Sequence, residues 1–223
     1  MQRFFDVVLS GFALLLLSPL ILPIALILRF TGEGEIFFTQ LRVGRRGHLF
    51  PLYKFATMLK NSPNIGTGTV TLKGDPRILP LGHFLRRTKI NELPQLLNIF
   101  KGDMSLIGPR PQTQRCFDAF PPMAQEDIKS VRPGLSGIGS LVFRDEERIM
   151  HASNDPNRFY DDVIMPYKGQ LERWYVANNS LWTYFILIAL TAWVVLIPRS
   201  GAVWSAFRAL PRPSPELDAA LRE

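Results

Sequence analysis

The sequence predicts a helix-rich α+β domain attached to a membrane, and three observations lead there. An uncharged apolar run lies near each end of the chain. The middle is polar and reads as short strands, turns and helices. The balance of charge is basic, with a formal net charge of +7, which suits nucleic acid, an anionic membrane surface or phosphorylated substrates. The 223 residues suffice for one compact domain with attached membrane elements. We divide them into a membrane segment (1–32), a catalytic-type polar domain (33–180) and an apolar segment with a basic amphipathic tail (181–223).

The first apolar run, Val7 to Leu28, holds 22 residues without a charge, between Asp6 and Arg29. A helix of that length covers roughly 33 Å, enough to cross the bilayer core. No small-x-small cleavage site follows it, so it is not expected to be a removable leader. Two features complicate a simple span. Ser18-Pro19 stands mid-run with Pro23 one turn later, and each proline removes a backbone donor and crowds the preceding turn. A serine can satisfy a carbonyl freed in this way. Positive charge also lies on both sides, with Arg3 before and Arg29, Arg42, Arg45, Arg46 and Lys54 after. The positive-inside tendency then places both flanks in the cytosol. A helix that enters, turns at Ser18-Pro19 and returns meets both conditions, and on the residues alone it stands about even with a kinked span.

The second run, Leu181 to Ile197, has 17 uncharged residues and ends at Pro198-Arg199. It is at the short limit for crossing a bilayer, and Trp182, Tyr184 and Trp193 are aromatics of the membrane-interface kind. The tail carries Arg199, Arg208 and Arg212, with Val203, Trp204, Phe207 and Leu210 at helical spacing. An interfacial or shallowly inserted segment is the better reading.

In the polar middle, Glu35 to Gln40 and Leu49 to Phe55 read as extended segments around the turn Arg45-Arg46-Gly47. Thr67 to Leu72 alternates hydroxyl and apolar residues as a strand would, and Asp75-Pro76-Arg77 makes a turn. The stretch from Leu85 to Pro111 carries the chemistry. Leu93, Leu96, Leu97 and Phe100 fall at i, i+3, i+4 and i+7, which predicts a helix with those residues on its buried face. Asn91 is expected as N-cap, with Pro94 in the first turn and Gly102 at the stop. Glu92 then stands at a helix start, with Arg86, Arg87 and Lys89 just before it. Arg110 is held between Pro109 and Pro111. Phosphoryl transfer needs these parts: cations to neutralise a diphosphate, and a carboxylate to attack phosphorus, hold a metal or move a proton. A well-capped helix beside a solvated basic face would show the same residues. Asp103, just past Gly102, reads as a turn residue. The lone Cys116 excludes an internal disulfide. His48, His83 and His151 are too scattered for a ligand set.

Taken in order, several motifs resemble those of the monotopic phosphoglycosyl transferases, the bacterial sugar transferases that begin glycan assembly on undecaprenyl phosphate. They are Ser18-Pro19 in the membrane run, FTQLRVGRRG, YKFATM, GDPR (Gly74 to Arg77) and RRTKINELPQLLNIFKGDMSLIGPRPQ. VRPGLSG (Val131 to Gly137) and YVANNSLW (Tyr175 to Trp182) follow. The resemblance covers roughly residues 1–182. It implies a re-entrant helix-break-helix segment at Ser18-Pro19, a small cytosolic catalytic domain and interfacial amphipathic helices, at the inner face of the bacterial cytoplasmic membrane. It also implies a two-step reaction assisted by Mg2+. The aspartate of an Asp-Glu pair attacks the β-phosphate of a UDP-sugar and releases UMP, and the phosphosugar then passes to the polyprenyl phosphate. Inner-membrane lipids are further implied partners, a homodimer is possible, and no nucleic acid is expected, since nothing here matches a nucleic-acid module.

Three departures bear on the site. The Asp-Glu pair reads Asn91-Glu92, and an amide is a poorer nucleophile and magnesium ligand than a carboxylate. KFRTM reads KFATM, with Ala56 for the arginine. After VRPGLSG the chain runs IGSLVFRDEE in place of GWAQVNGRN, though Arg144 keeps the arginine position. The expected site is Glu92 as catalytic carboxylate and possible metal ligand, Asn91 at the nucleophile position, and Lys54, Arg86, Arg110 and Arg144 on phosphate or nucleotide. A catalytically silent membrane scaffold is the competing function.

Overall fold

The computed structural model describes residues 1–65, 75–144, 146–151, 155–197 and 201–222. Contacts divide the chain into two units. The smaller comprises Phe5–Leu41 and Pro51–Gly102, and the larger comprises Met1–Phe4, Arg42–Phe50 and Asp103–Glu223.

The apolar run near the amino terminus winds into α1 (Gln2–Phe30), which is continuous through Pro19 and Pro23. The break expected at Ser18-Pro19 is therefore absent as an interruption of the helix. A local repair accounts for this: Pro19 cannot donate to the Leu15 carbonyl, and Ser18 Oγ donates to that oxygen instead, at 2.8 Å. In the smaller unit the last turns of α1 bury Ile24 and Leu28 with Phe55 and Leu85. The middle turns leave Phe12, Leu15, Leu16 and Leu22 exposed. α1 is long and apolar enough to cross a membrane.

Strands β1 (Phe37–Val43) and β2 (Leu49–Phe55) form a two-stranded sheet, as the sequence predicts, and Arg46 and Gly47 turn the chain between them with positive φ. Short α2 (Pro80–Arg87) follows, then a 3-10 turn at Ile90–Glu92, then α3 (Gln95–Lys101). Gly102 ends α3 at φ 106°, the left-handed stop expected of it. The buried face of α3 differs from expectation. It consists of Gln95, Leu96, Asn98 and Ile99, whereas Leu97 and Phe100 are exposed. The reason is Asn98, which turns inward to brace β2: its Oδ1 accepts from Tyr53 N at 3.0 Å and its Nδ2 donates to the Pro51 carbonyl at 2.8 Å. Two satisfied backbone groups outweigh burial of one more leucine. The strand expected at Thr67 to Leu72 lies outside the described residues.

The larger unit begins with β3 (Ser105–Ile107), and continues through α4 (Gln114–Asp118), α5 (Pro122–Ser130), β4 (Gly134–Ser136) and α6 (Ile138–Val142). β3 and β4 pair in parallel, Ser105 against Gly134 and Ile107 against Ser136. Then come α7 (Glu146–His151), α8 (Pro156–Phe159), a π-turn at Tyr160–Ile164, and α9 (Met165–Ala177). α9 is the spine of this unit, burying Met165, Tyr167, Leu171 and Tyr175 together with the polar Lys168 and Glu172. Gly169 lets α5 approach closely, since an added Cβ would lie 3.0 Å from that of Ala124. At the start of the chain, Gln2 Nε2 donates to Ser105 Oγ at 3.0 Å and to the Ile107 carbonyl at 3.3 Å.

Ser180 caps α10 (Leu181–Leu196) by accepting from Thr183 N. One side of α10 buries Thr183, Tyr184, Leu187 and Val194, and Thr191 shares a hydrogen bond with Ser136. Trp182, Phe185, Trp193, Val195 and Leu196 remain exposed. The tail forms α11 (Ala202–Ala206) and α12 (Pro215–Arg222). Val203, Phe207, Leu210 and Leu217 are buried, and Phe207 meets Trp174 edge-on at 5.1 Å. Pro198 and Arg199 lie outside the described residues.

Candidate active site

Alternation along β2 sends Phe55 into the core and Lys54 to the opposite face. Lys54 Nζ meets Glu92 Oε1 at 3.1 Å, with side chains 22% and 15% exposed. The Asn98 brace fixes α3 on β2, and so fixes the height at which the preceding turn offers Glu92 to the lysine.

The turn itself is not the N-cap arrangement expected. Lys89 adopts the left-handed conformation at φ 60°, reversing the chain after α2, and Ile90–Glu92 wind as a tight 3-10 turn. Asn91 sits inside that turn and caps no helix. Its side chain points inward, 5% exposed, and its Oδ1 has no hydrogen-bond partner. A buried amide oxygen left unpaired costs about 1–3 kcal/mol. Arg86 is half-buried in the last turn of α2. Ala56, in place of an arginine, is buried and donates its N–H to the Ile36 carbonyl at 3.0 Å. The turn at Asp75 to Arg77 is structural: Arg77 bonds Asp75 twice, at 2.8 and 2.5 Å, and also bonds the carbonyls of Ser62 and Ile65.

The structure thus brings Lys54, Asn91, Glu92 and Arg86 into the smaller unit, and Arg110 and Arg144 into the larger. Arg110 follows β3. Arg144 follows α6, and its Nη1 is buried without a hydrogen-bond partner. No group of three or more His, Cys, Asp or Glu with metal-site geometry occurs among the described residues.

One carboxylate was missed in the sequence. Glu172 is 3% exposed, and burial pushes its carboxyl up to about 7, opposed by the charge of Lys168 and by backbone N–H donors from Arg110 and Gly139. Lys168 is buried with it and pairs with Glu146 at 2.5 Å. In the sequence Glu172 stands in LERWY beside Arg173, as a solvated helix glutamate would, so nothing local marks it.

Residues 1–198 match the family described as bacterial sugar transferase. The chain is 33% identical to the undecaprenyl-phosphate galactose phosphotransferase of Salmonella typhimurium, with 91% of this chain and 41% of that protein covered. It is 35% identical to the exopolysaccharide production protein ExoY of Sinorhizobium fredii, with 90% and 87% covered. It is 34% identical to the UDP-N-acetylgalactosamine-undecaprenyl-phosphate N-acetylgalactosaminephosphotransferase of Aeromonas hydrophila, with 87% and 43% covered. The chain thus spans less than half the length of the Salmonella and Aeromonas proteins and most of ExoY.

Proposed function

Since this chain belongs to the bacterial sugar transferase family, we propose that it moves a sugar 1-phosphate from a UDP-sugar onto undecaprenyl phosphate and releases UMP, as the first membrane step of glycan assembly. The observation that carries the reading is the Lys54–Glu92 pair beside the unsatisfied Asn91, inside the block that most resembles the family. Glu92 is the catalytic carboxylate: its oxygen attacks the sugar-bearing β-phosphorus, the bond to the α-phosphate oxygen breaks, and UMP leaves. An oxygen of the lipid phosphate then attacks the same phosphorus and expels the carboxylate. Lys54 orients Glu92 by holding Oε1, and Asn91 offers its amide oxygen at the family's nucleophile position. Arg86, Arg110 and Arg144 contact phosphate or nucleotide.

The donor set fits Mg2+ in one way only. A single carboxylate and an amide oxygen cannot cage the ion, but magnesium keeps most of its waters and takes one or two protein oxygens plus substrate phosphates. Glu92 and Asn91 would hold it, and when bound it supplies charge neutralisation on the diphosphate.

The membrane attachment we propose is re-entrant. The exposed apolar residues of α1 lie on either side of Ser18 and Pro19, and positive charge flanks the run at both ends, which favours a helix bent at Pro19 that dips into the inner leaflet of the cytoplasmic membrane. α10 lies at the interface, docked by one side and apolar on the other.

The test is UMP release from UDP-galactose, UDP-glucose and UDP-N-acetylgalactosamine by the full chain in lipid nanodiscs, with and without undecaprenyl phosphate. Multiple-turnover release that needs the lipid and disappears in Glu92→Gln supports the enzyme; without lipid at most one UMP per chain is expected. No release with any donor leaves the scaffold reading. Cysteine labels at residues 2 and 33 should both react from the cytosolic side only, and labelling from opposite sides would restore a span.

A further inference from the structure

Arg110 is placed by an unusual backbone. Pro109 and Pro111 have no N–H, so Arg110 supplies the sole backbone donor of that tripeptide. The neighbouring groups are held one by one. The Ile107 carbonyl accepts from Tyr175 Oη at 3.1 Å. Gly108 donates to the Ser136 carbonyl at 2.9 Å, and the Pro109 carbonyl accepts from Gly134 at 2.8 Å. The Pro111 carbonyl accepts from Arg42 at 3.3 Å. The Arg110 N–H goes to Glu172, which also receives the Gly139 N–H. Glu172 is pressed so closely on the start of α6 that a Cβ added to Gly139 would collide with Oε1. Its other oxygen, Oε2, is buried without a hydrogen-bond partner, and a carboxyl group so incompletely satisfied is costly to bury, so its place in α9 calls for a use.

We propose that Glu172 is the positioning residue for Arg110. It joins the only donor of the Pro-Arg-Pro segment to α6 and α9, and so sets the direction in which the guanidinium leaves the backbone. The inference rests on the reading of Arg110 as a phosphate contact. Charge-assisted acceptance from an amide is stronger than neutral acceptance, yet a glutamine keeps an oxygen of the same reach, whereas a leucine of similar volume keeps none.

The experiment is a double-mutant cycle on the full chain in nanodiscs, reading the Kd for UDP with magnesium chloride present. Arg110→Ala should weaken UDP binding by about tenfold or more. Glu172→Leu should weaken it comparably, Glu172→Gln by no more than about twofold, and Glu172→Leu should add nothing in the Arg110→Ala background. Should Glu172→Leu fail to fold, Glu172→Asp withdraws the oxygen by one methylene and serves in the same cycle. Equal losses in both backgrounds would show that Glu172 acts independently of Arg110 and overturn the inference while leaving the Arg110 reading intact. A silent Arg110→Ala would overturn both. A merely structural glutamate lowers stability without this coupling.

Discussion

Glu92 and Glu172 both lie in the field of a lysine, and their settings differ in the way that separates chemistry from architecture. Glu92 sits on a tight turn, partly exposed, with one oxygen held by Lys54 at 3.1 Å and an unsatisfied amide oxygen beside it. Glu172 sits in mid-helix, 3% exposed, with backbone amides of its own fold as donors and with Oε2 buried and unpaired. The first is positioned to meet something from outside, and the second to hold something in place. Sequence spacing does not distinguish them, whereas burial and the identity of the donors do.

The comparison breaks most readily at Glu92. Glu92→Gln should reduce UMP release by at least about 10³-fold, with little change in thermal midpoint, because a partly exposed ion pair contributes at most about 1 kcal/mol. Normal turnover in that variant would remove Glu92 from the chemistry.

Glu172 should instead declare itself in stability. Its carboxyl is raised to about 7 in the fold from an ordinary value of 4.5, so the folded chain binds the extra proton between those values. Stability from this group is therefore full below pH 4.5 and falls as pH rises through about 7, by up to about 3 kcal/mol. Thermal midpoints across pH 4.5–8 in nanodiscs should decline over this window, and the decline should be smaller in Glu172→Gln. An unchanged slope in that variant would mean that Glu172 is not the titrating group.

Arg110 gives the next largest effect. Arg110→Ala should lower kcat/KM by about 10- to 100-fold without loss of membrane insertion, and Arg110→Lys should recover little if the guanidinium engages phosphate in two-pronged fashion. The smallest effect is expected at the neighbour of Glu92. Asn91→Asp should preserve turnover or raise it a few-fold, with a phosphosugar adduct visible by intact mass. A loss of activity there would mean that position 91 works as an amide and that Glu92 carries the attack alone.

Much of this was legible in residues alone. The two apolar runs, the extended segments around Arg45-Arg46-Gly47 and the Gly102 stop follow from local pattern, because each depends on neighbours a few residues away, whereas the pairing of Lys54 with Glu92 appears only in the structure. The helix at 95–101 was predicted in place but not in orientation. Its apolar spacing pointed to Leu97 and Phe100, and Asn98 overrode it through hydrogen bonds to Tyr53 and Pro51, more than forty residues earlier in the chain.

What tertiary structure alone decided has the same physical cause throughout. Whether Val203, Phe207 and Leu210 face lipid or protein, whether Asn91 caps a helix or turns inward, and whether Glu172 is solvated or buried all depend on which surface arrives from elsewhere in the chain. The sequence by itself determined the family, the apolar segments and the residue types at the site. The packing determined their surroundings, because burial and unmet hydrogen bonds are properties of contacts between distant segments rather than of any residue or spacing.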